Sequence, residues 1–507
     1  MRESLCLVLA TLACLSSEVL SASTLQIKVV DVEARQLPCR VHFKDASGAP
    51  VRAEGLPFWH DHFVCAGLVE LQLRPGRYDY EIERGPEHER ATGSVEIVAG
   101  ERKKLSIALK RITNMSEKGW WSGDLHVHRR VDEMPLHLRA EDLHVAPVIT
   151  WWNEQDWWRE RSVPENTLMK VDQNRYYDVM AGEDEREGGA LLYYGLKKPL
   201  PLPGGMRAFP EHPSPVKFIA MARQHEGVWI DIEKPFWWDT PVWLASGQIN
   251  SIGLANNHMC RSSMLENEAW GKARDEKRWP PPRGNGYWTQ EIYYHVLNSG
   301  FRLPPSAGSA SGVLANPVGY NRAYVHVGSD FSYDRWWEGL KAGRSFVTNG
   351  PLLLCRANQF LPGHVFQTDG TQEIELAIEV ISKDRIPAVE IIVNGRKKQS
   401  IPLELSEQSK LRTQLTFQKS GWFLVRAIVE NPGTFRFAST APYYVEIGKE
   451  KTRISRRSVQ FFLDWLEERS ARVPSKLDDE EKLGEVLQYH DKAKLFWRQL
   501  MQQANAT

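Results

Sequence analysis

The sequence predicts a multidomain chain of mixed α/β and β class. In this prediction a central distorted (β/α) barrel is flanked by two β-sandwich domains, and a helical tail ends the chain. Three observations support it. The 507 residues exceed the size of one ordinary hydrophobic core. Apolar and polar residues alternate in two separate regions, as in half-buried strands. Between those regions, short apolar runs alternate with stretches long enough for helices.

The first 23 residues predict a secretory signal peptide. Arg2 is followed by an apolar run over residues 5–15, too short to span a bilayer, and by the small residues 21–23, near which we expect cleavage. A lipid-modified Cys14 is the alternative, because residues 12–14 resemble a lipidation box. We therefore expect a secreted or periplasmic protein. No later segment is apolar enough to cross a membrane.

Residues 24–112 predict the first sandwich, because alternating runs flank the Pro75-Gly76 turn. The stretch LRPGRYDYEIERG resembles the small transthyretin-like or carboxypeptidase-regulatory sandwich. In an oxidising compartment Cys39 and Cys65 could form a disulfide. We expect Cys260 and Cys355 to be buried free thiols.

Residues 116–350 predict the barrel, residues 351–448 the second sandwich and residues 453–507 the helical tail. The Val393-Asn-Gly-Arg turn is typical of a hairpin, and apolar residues at helical spacing recur after residue 458. Lys plus Arg and Asp plus Glu both number 64, so the net charge is zero and no polyanionic partner such as nucleic acid is expected. We expect a small-molecule or carbohydrate substrate.

Residues 119–130, GWWSGDLHVHRR, contain the pattern that carries chemistry. On a strand, His126 and His128 project from the same face, and two neutral imidazoles so placed can chelate a divalent cation. The alternative is that one is a core histidine bonded to backbone and the other faces solvent.

GDLHVH resembles the first motif of the PHP (polymerase and histidinol phosphatase) superfamily, whose barrels hold up to three metal ions. Three longer segments resemble its CehA/McbA (carbaryl hydrolase) branch: GEDEREGGALLYYGL, LPPSAGSASGVLANPVGYNRAYVHV and WEGLKAGRSFVTNGPLL. The resemblance covers roughly residues 116–355. It implies a distorted barrel and metal-dependent hydrolysis.

The resemblance also implies a reduced ligand set. The second-strand histidine is replaced within residues 150–153, which end in Asn153, and Lys234 stands where a later ligand is usual. Residues 308–312 lack the closing Asp and His. The third-strand acid falls among residues 183–185, and Glu183 and Glu185 are both candidates.

His258, which ends another predicted strand, could complete a site of three or four ligands. Such a site suits zinc, with manganese or iron as alternatives. We expect fewer ions than the three of the full cluster.

Other candidates surround this set. Lys234 and Asn153 are the candidate catalytic residues; Lys234 could bind an anionic group or replace a missing cation, or simply reach solvent. Trp152 and Trp158 are candidate aromatic pocket walls. Asn257 could orient substrate or cap a turn.

Arg322 could clamp a carboxylate or phosphate, or pair with a structural acid.

The sequence thus predicts an exported metal-dependent hydrolase that attacks an ester, phosphoester or carbamate through metal-activated water. The alternative is a catalytically inactive barrel that binds a glycan or another ligand.

Overall fold

The computed structural model describes residues 23–203, 210–404 and 408–507. The predicted signal segment lies almost entirely outside these residues. Strands account for 38% of the structure and helices for 19%. No helix in the described ranges combines the length and apolar character needed to cross a membrane.

The N-terminal part consists of two sheets around one apolar core, and its strands pair antiparallel except for the parallel pair of β1 and β8. Its strands are β1 (Ser23–Val30), β2 (Cys39–Asp45), β3 (Phe58–Trp59), β4 (His62–Cys65), β5 (Leu68–Leu73), β6 (Gly76–Glu83), β7 (Ala91–Ile97) and β8 (Arg102–Ala108). One sheet has the order β5–β1–β8 and the other β3–β4–β2–β6–β7. Alternating side chains from both sheets fill the space between them, as the period of two requires. Cys39 and Cys65 face each other across β2 and β4 as thiols, with 3.7 Å between their sulfurs.

The described residues of the central part form eleven strands and five α-helices. The strands are β9 (Trp120–Gly123), β10 (Val145–Trp152), β11 (Gln155–Asp156), β12 (Leu168–Asp172), β13 (Arg175–Arg186), β14 (Gly189–Tyr194), β15 (Trp229–Ile232), β16 (Ser251–Ala255), β17 (Pro305–Ala307), β18 (Arg322–His326) and β19 (Ser345–Thr348). The helices are α1 (Met134–Ala140), α2 (Pro215–Ala222), α3 (Thr240–Ala245), α4 (Gly284–Asn298) and α5 (Tyr333–Lys341).

The predicted fold class, mixed α/β with a central (β/α) barrel, is wrong, because strands predominate where helices were expected. Only two residues separate β13 from β14, so no helix fits between them, and β14 runs antiparallel to both β13 and β15. Two further short strands, β11 and β12, occupy the stretch between β10 and β13. The acidic residues after residue 182 continue β13 instead of ending it in a loop.

The central strands belong to one large closed sheet, and six of the nine described C-terminal strands continue it. The nine strands are β20 (Leu352–Ala357), β21 (Val365–Thr368), β22 (Gln372–Ile381), β23 (Ala388–Val393), β24 (Arg396–Pro402), β25 (Gln408–Phe417), β26 (Gly421–Ile428), β27 (Phe437–Thr440) and β28 (Tyr443–Ile447). β20, β22 and β25 form a separate sheet, whereas β19 pairs with β27 across the predicted domain boundary at residue 350. The central and C-terminal parts therefore share hydrogen-bonded strands.

Helices α6 (Arg456–Arg472) and α7 (Glu480–Gln502) end the chain. The side chains of Ser455 and Asp479 cap their N-termini by accepting from backbone N–H groups. Arg469 of α6 is buried and ion-paired at 2.7 Å with both Asp239 and Glu211. This network anchors the helical tail to the central part.

Candidate metal centre

The two histidines lie on an extended segment that continues β9. The backbone of His126 accepts from Ala310 N–H at 2.7 Å, and His128 N–H donates to Ser311 at 2.8 Å. Val127 points the other way, into a small apolar cluster, so both imidazoles share one face. Asp124 fixes the start of this segment, because its carboxylate accepts from the N–H groups of His126 and Ser309.

The side chain of Glu183 on β13 lies next to the imidazoles of His126 and His128. β13 lies parallel to β10, with Glu183 in register with Trp152. Alternation along β13 sends Glu183 and Glu185 toward the histidines and Asp184 to the opposite face, where it pairs with Arg186. Of the three acids at residues 183–185, Glu183 is the one whose carboxylate lies within 3.3 Å of both imidazoles, so it is the candidate ligand.

Three atoms that could bind a metal ion lie close together here. His126 Nε2 lies 2.9 Å from His128 Nε2, and Glu183 Oε2 lies 3.3 Å and 3.2 Å from these two nitrogens. An ion with tetrahedral bonds of about 2.1 Å has ligand–ligand edges of about 3.4 Å. Glu183 Oε2 is buried and has no properly oriented hydrogen-bond donor among the described residues. The donor set and its spacing fit a divalent cation.

Glu233, which follows β15, contacts the His126 ring on the side opposite Glu183. Its Oε1 lies 3.4 Å from His126 Nδ1, while Oε2 accepts from Trp237 Nε1 at 3.0 Å and pairs with Lys234. A carboxylate beside Nδ1 favours a proton on that nitrogen, which leaves Nε2 free as a ligand. The ammonium group of Lys234 compensates the buried charge of Glu233 and lies 4.5 Å from the Trp237 ring centre.

Burial and the neighbouring charges shift the pKa values of these side chains in opposite directions. Burial lowers the pKa of His126, but Glu183 and Glu233 outweigh burial and raise it to about 10. Burial lowers the pKa of His128. The pKa of Glu183 is held below its usual range, because the two histidines outweigh the effect of burial. Burial and the neighbouring Glu183 raise the pKa of Glu185 to about 8.

A cavity of about 240 Å³ opens onto these ligands. Indole rings of Trp152, Trp237 and Trp270 line it together with apolar side chains. Trp152 donates to Glu185 at 3.0 Å, and its ring centre lies 5.0 Å from that of His128. The cavity therefore joins an apolar aromatic wall to a polar floor.

His258 lines this cavity, but it does not belong to the group of His126, His128 and Glu183, whose ligand atoms lie within 4.8 Å of one another. Its Nδ1 lies 2.9 Å from the carbonyl oxygen of Asn267, so Nε2 is the ring nitrogen that this contact does not use. Burial and Lys234 lower its pKa to about 3. Lys234 and Asn257 also line the cavity, and Asn257 Oδ1 is buried without a hydrogen-bond partner among the described residues.

Three predicted site residues do not line the cavity. Asn153 forms paired hydrogen bonds with the backbone of Glu185, at 2.8 and 2.9 Å, and so cross-links β10 to β13. Trp158 donates to Thr150 at 2.8 Å beside these strands. Arg322 lines a different cavity, where its guanidinium contacts backbone carbonyls.

Sequence reasoning missed Glu233, Trp237 and Asp124. Alternation in the run Asp231-Ile232-Glu233 places an acid at the end of β15, next to Lys234, and this signal could have identified Glu233. The role of Asp124 depends on contacts with residues far along the chain, including a 2.6 Å hydrogen bond from Gly319 N–H. No local pattern indicates such a contact.

No family model and no curated protein matches this chain. Among solved structures, the chain is similar to a CARDB domain from Pyrococcus furiosus, crystallised in complex with di-metal ions. The similarity has 18% sequence identity, covers 19% of this chain and 96% of that chain, and has a TM-score of 0.14. Because that score is very low, the functional interpretation depends on the geometry of the site itself.

Proposed function

We propose that this protein is a metal-dependent hydrolase of a small ester, phosphoester or carbamate. The observation that carries the proposal is the convergence of His126, His128 and Glu183 at the floor of a tryptophan-lined cavity. The resemblance of GDLHVH to the first PHP motif supports the same chemistry. Zinc is the ion we propose, because two imidazoles and one carboxylate match its catalytic sites.

His126, His128 and Glu183 would hold the cation at the floor of the cavity. A bound divalent cation supplies Lewis acidity, which makes water a better nucleophile near neutral pH. Glu233 keeps the His126 ring in a fixed orientation and tautomer. Lys234 balances the charge of Glu233 and contributes a positive charge to the cavity wall, where hydrolysis develops negative charge.

The cavity walls constrain the substrate. The indoles of Trp152, Trp237 and Trp270, with Leu265 and Val313, form an apolar surface that suits an aromatic or other apolar group. The carboxylate of Glu185 and the amide of Asn257 provide polar positions on the same wall. These side chains would exclude water from the apolar part of the substrate and direct its polar bond toward the floor.

Metal analysis tests the proposal directly. Untagged protein is purified without chelator, and its zinc, manganese and iron contents are measured beside those of His126→Ala/His128→Ala. The matched control is His60→Ala/His225→Ala, which removes two histidines that do not line the cavity. We expect about one bound ion per chain in the wild type and the control, and none in the first variant. Equal metal content in all three proteins would refute the site.

A second experiment separates catalysis from binding. Chromogenic esters, phosphoesters and carbamates are assayed with and without a chelator, and turnover should disappear with the chelator and return with added zinc. Glycan binding that persists in chelator, without turnover of any chromogenic substrate, would instead support the alternative of a binding protein.

A further inference from the structure

A second, smaller cavity lies where the N-terminal sheets meet the central and C-terminal strands. Its volume is about 50 Å³, enough for about three or four water molecules. Three carboxylates line it, from Glu83, Glu141 and Asp384. The cations that line it are Arg40, Arg90, Arg261, Arg322, Lys383 and Arg436. The described lining therefore carries more positive than negative charge.

The ion pairs at this cavity leave positive charge unbalanced. The carboxylate of Glu83 is shared by three guanidinium groups, those of Arg40, Arg90 and Arg261. Glu81, beside the cavity, also pairs with Arg261. Even when Glu81 is counted with the three lining carboxylates, the six cations exceed the four acids by two charges.

Arg322 and Lys383 contribute this excess. Arg322, which is 2% exposed, donates to the carbonyls of Gly319 and Glu141, and no carboxylate of the described chain lies within salt-bridge distance of it. Lys383 donates to the carbonyl of Gly85 at 3.2 Å, and its nearest carboxylate oxygen lies 3.8 Å away.

Arg436 has a further unused donor. One of its terminal nitrogens pairs with Asp384 at 2.6 Å, but its Nε is buried without a hydrogen-bond partner among the described residues. Leaving such a charged donor unpaired in a buried site is costly. A small anion bound here would balance the excess positive charge and accept a hydrogen bond from the unpaired Nε of Arg436.

We propose that this cavity binds a small tetrahedral oxyanion, hydrogen phosphate or sulfate, between Arg322, Lys383 and Arg436. Guanidinium groups match the geometry of such anions and bind them through charge-assisted hydrogen bonds. Glu141, which lines the same cavity, has a carboxylate oxygen that is buried without a hydrogen-bond partner among the described residues. A protonated oxyanion can donate to this oxygen, so we expect hydrogen phosphate to bind more tightly than sulfate.

The lowered pKa of Lys383 is consistent with an anion site beside its ammonium group. Burial lowers its pKa to about 8, an effect that Glu83 opposes and the nearby Arg90 and Arg40 reinforce. An anion next to the ammonium group would offset these effects. The bound anion would also connect all three parts of the chain, because its neighbours come from each of them.

The test uses the full chain, dialysed first into chloride. Inorganic phosphate and sulfate are titrated calorimetrically, and unfolding temperatures are recorded in phosphate, sulfate and chloride at equal ionic strength. We expect saturable binding of phosphate, weaker binding of sulfate, and a higher Tm in phosphate than in chloride. Lys383→Gln should weaken phosphate binding by about tenfold or more, because it removes a charged hydrogen-bond donor. Lys397→Gln, an exposed lysine of the same region, is the matched control and should bind like the wild type.

Equal Tm values in phosphate and chloride would overturn the proposal. So would phosphate affinity that is unchanged in Lys383→Gln. If that variant does not fold, the wild-type titration decides the question, since the absence of saturable heat with both oxyanions also overturns it. Tighter binding of sulfate than of phosphate would overturn the role of Glu141.

Discussion

Gly308→Ala tests how closely the side chains proposed to bind the metal are packed. A Cβ atom at residue 308 would lie 2.4 Å from the Cβ of His126, whereas ordinary contact begins at 3.4 Å. The backbone of Gly308 is not in the left-handed region, so alanine adds no backbone strain there and acts only through steric contact. His126 or its neighbours must therefore move by about 1 Å to admit the methyl group.

The expected effect follows from the ligand geometry. A shift of about 1 Å is large beside ligand separations of 2.9–3.3 Å. We expect zinc affinity to fall by roughly 10- to 100-fold, the loss typical of disturbed ligand orientation, and stability to fall by about 1–3 kcal/mol from overpacking. Competition with a chromophoric chelator measures the affinity, and urea unfolding measures the stability.

Gly370→Ala is the matched control, because a Cβ there meets nothing within 4 Å and its backbone is also outside the left-handed region. It should bind zinc like the wild type. Wild-type zinc affinity in a normally folded Gly308→Ala protein would refute this prediction, because close packing of Gly308 against His126 would then not position that side chain.

Three further predictions concern the support of the site and the stability of the chain. Glu233→Gln should reduce zinc affinity by about 10- to 100-fold in the same chelator competition, because it removes the carboxylate behind a ligand; unchanged affinity would contradict that role. Arg469→Met should lower the urea-unfolding free energy by about 3–5 kcal/mol, because two buried carboxylates lose their partner, whereas exposed Arg498→Ala should change it little. Burial lowers the pKa of His144 to about 3 and that of His490 to about 4, so the unfolded chain binds protons below pH 6.5 that the folded chain does not. Stability should therefore fall as pH drops from 7 to 5, by about 2 kcal/mol for each of these histidines, and urea midpoints that rise toward pH 5 would contradict this.

Sequence periodicity could predict the parts of the site that depend on a single strand. The two-residue spacing of His126 and His128 predicts that they share a face, and the structure brings both to one point with Glu183. The same alternation separates Glu183 from Asp184 once β13 is known to be a continuous strand. These inferences need only the direction of successive side chains.

Contacts between distant segments could not be predicted in this way. Arg322 has the chemistry of a substrate clamp, yet its strand carries it to the second cavity. Asn153 occupies the expected place of a ligand but bonds to the backbone of Glu185. The fold-class error has a similar origin, because apolar runs do not distinguish a strand that returns through a two-residue turn from one followed by a helix.

The pairing of β19 with β27 has a practical consequence for anyone who wishes to isolate the part of the chain that carries the candidate metal site. Phe346 lies opposite Thr440, so a fragment ending at residue 350 would expose an apolar strand whose amide and carbonyl groups have lost their partners. Such an edge recruits other chains, and we expect the fragment to aggregate. Expression and proteolysis studies should therefore treat everything from β9 to β28 as one inseparable unit.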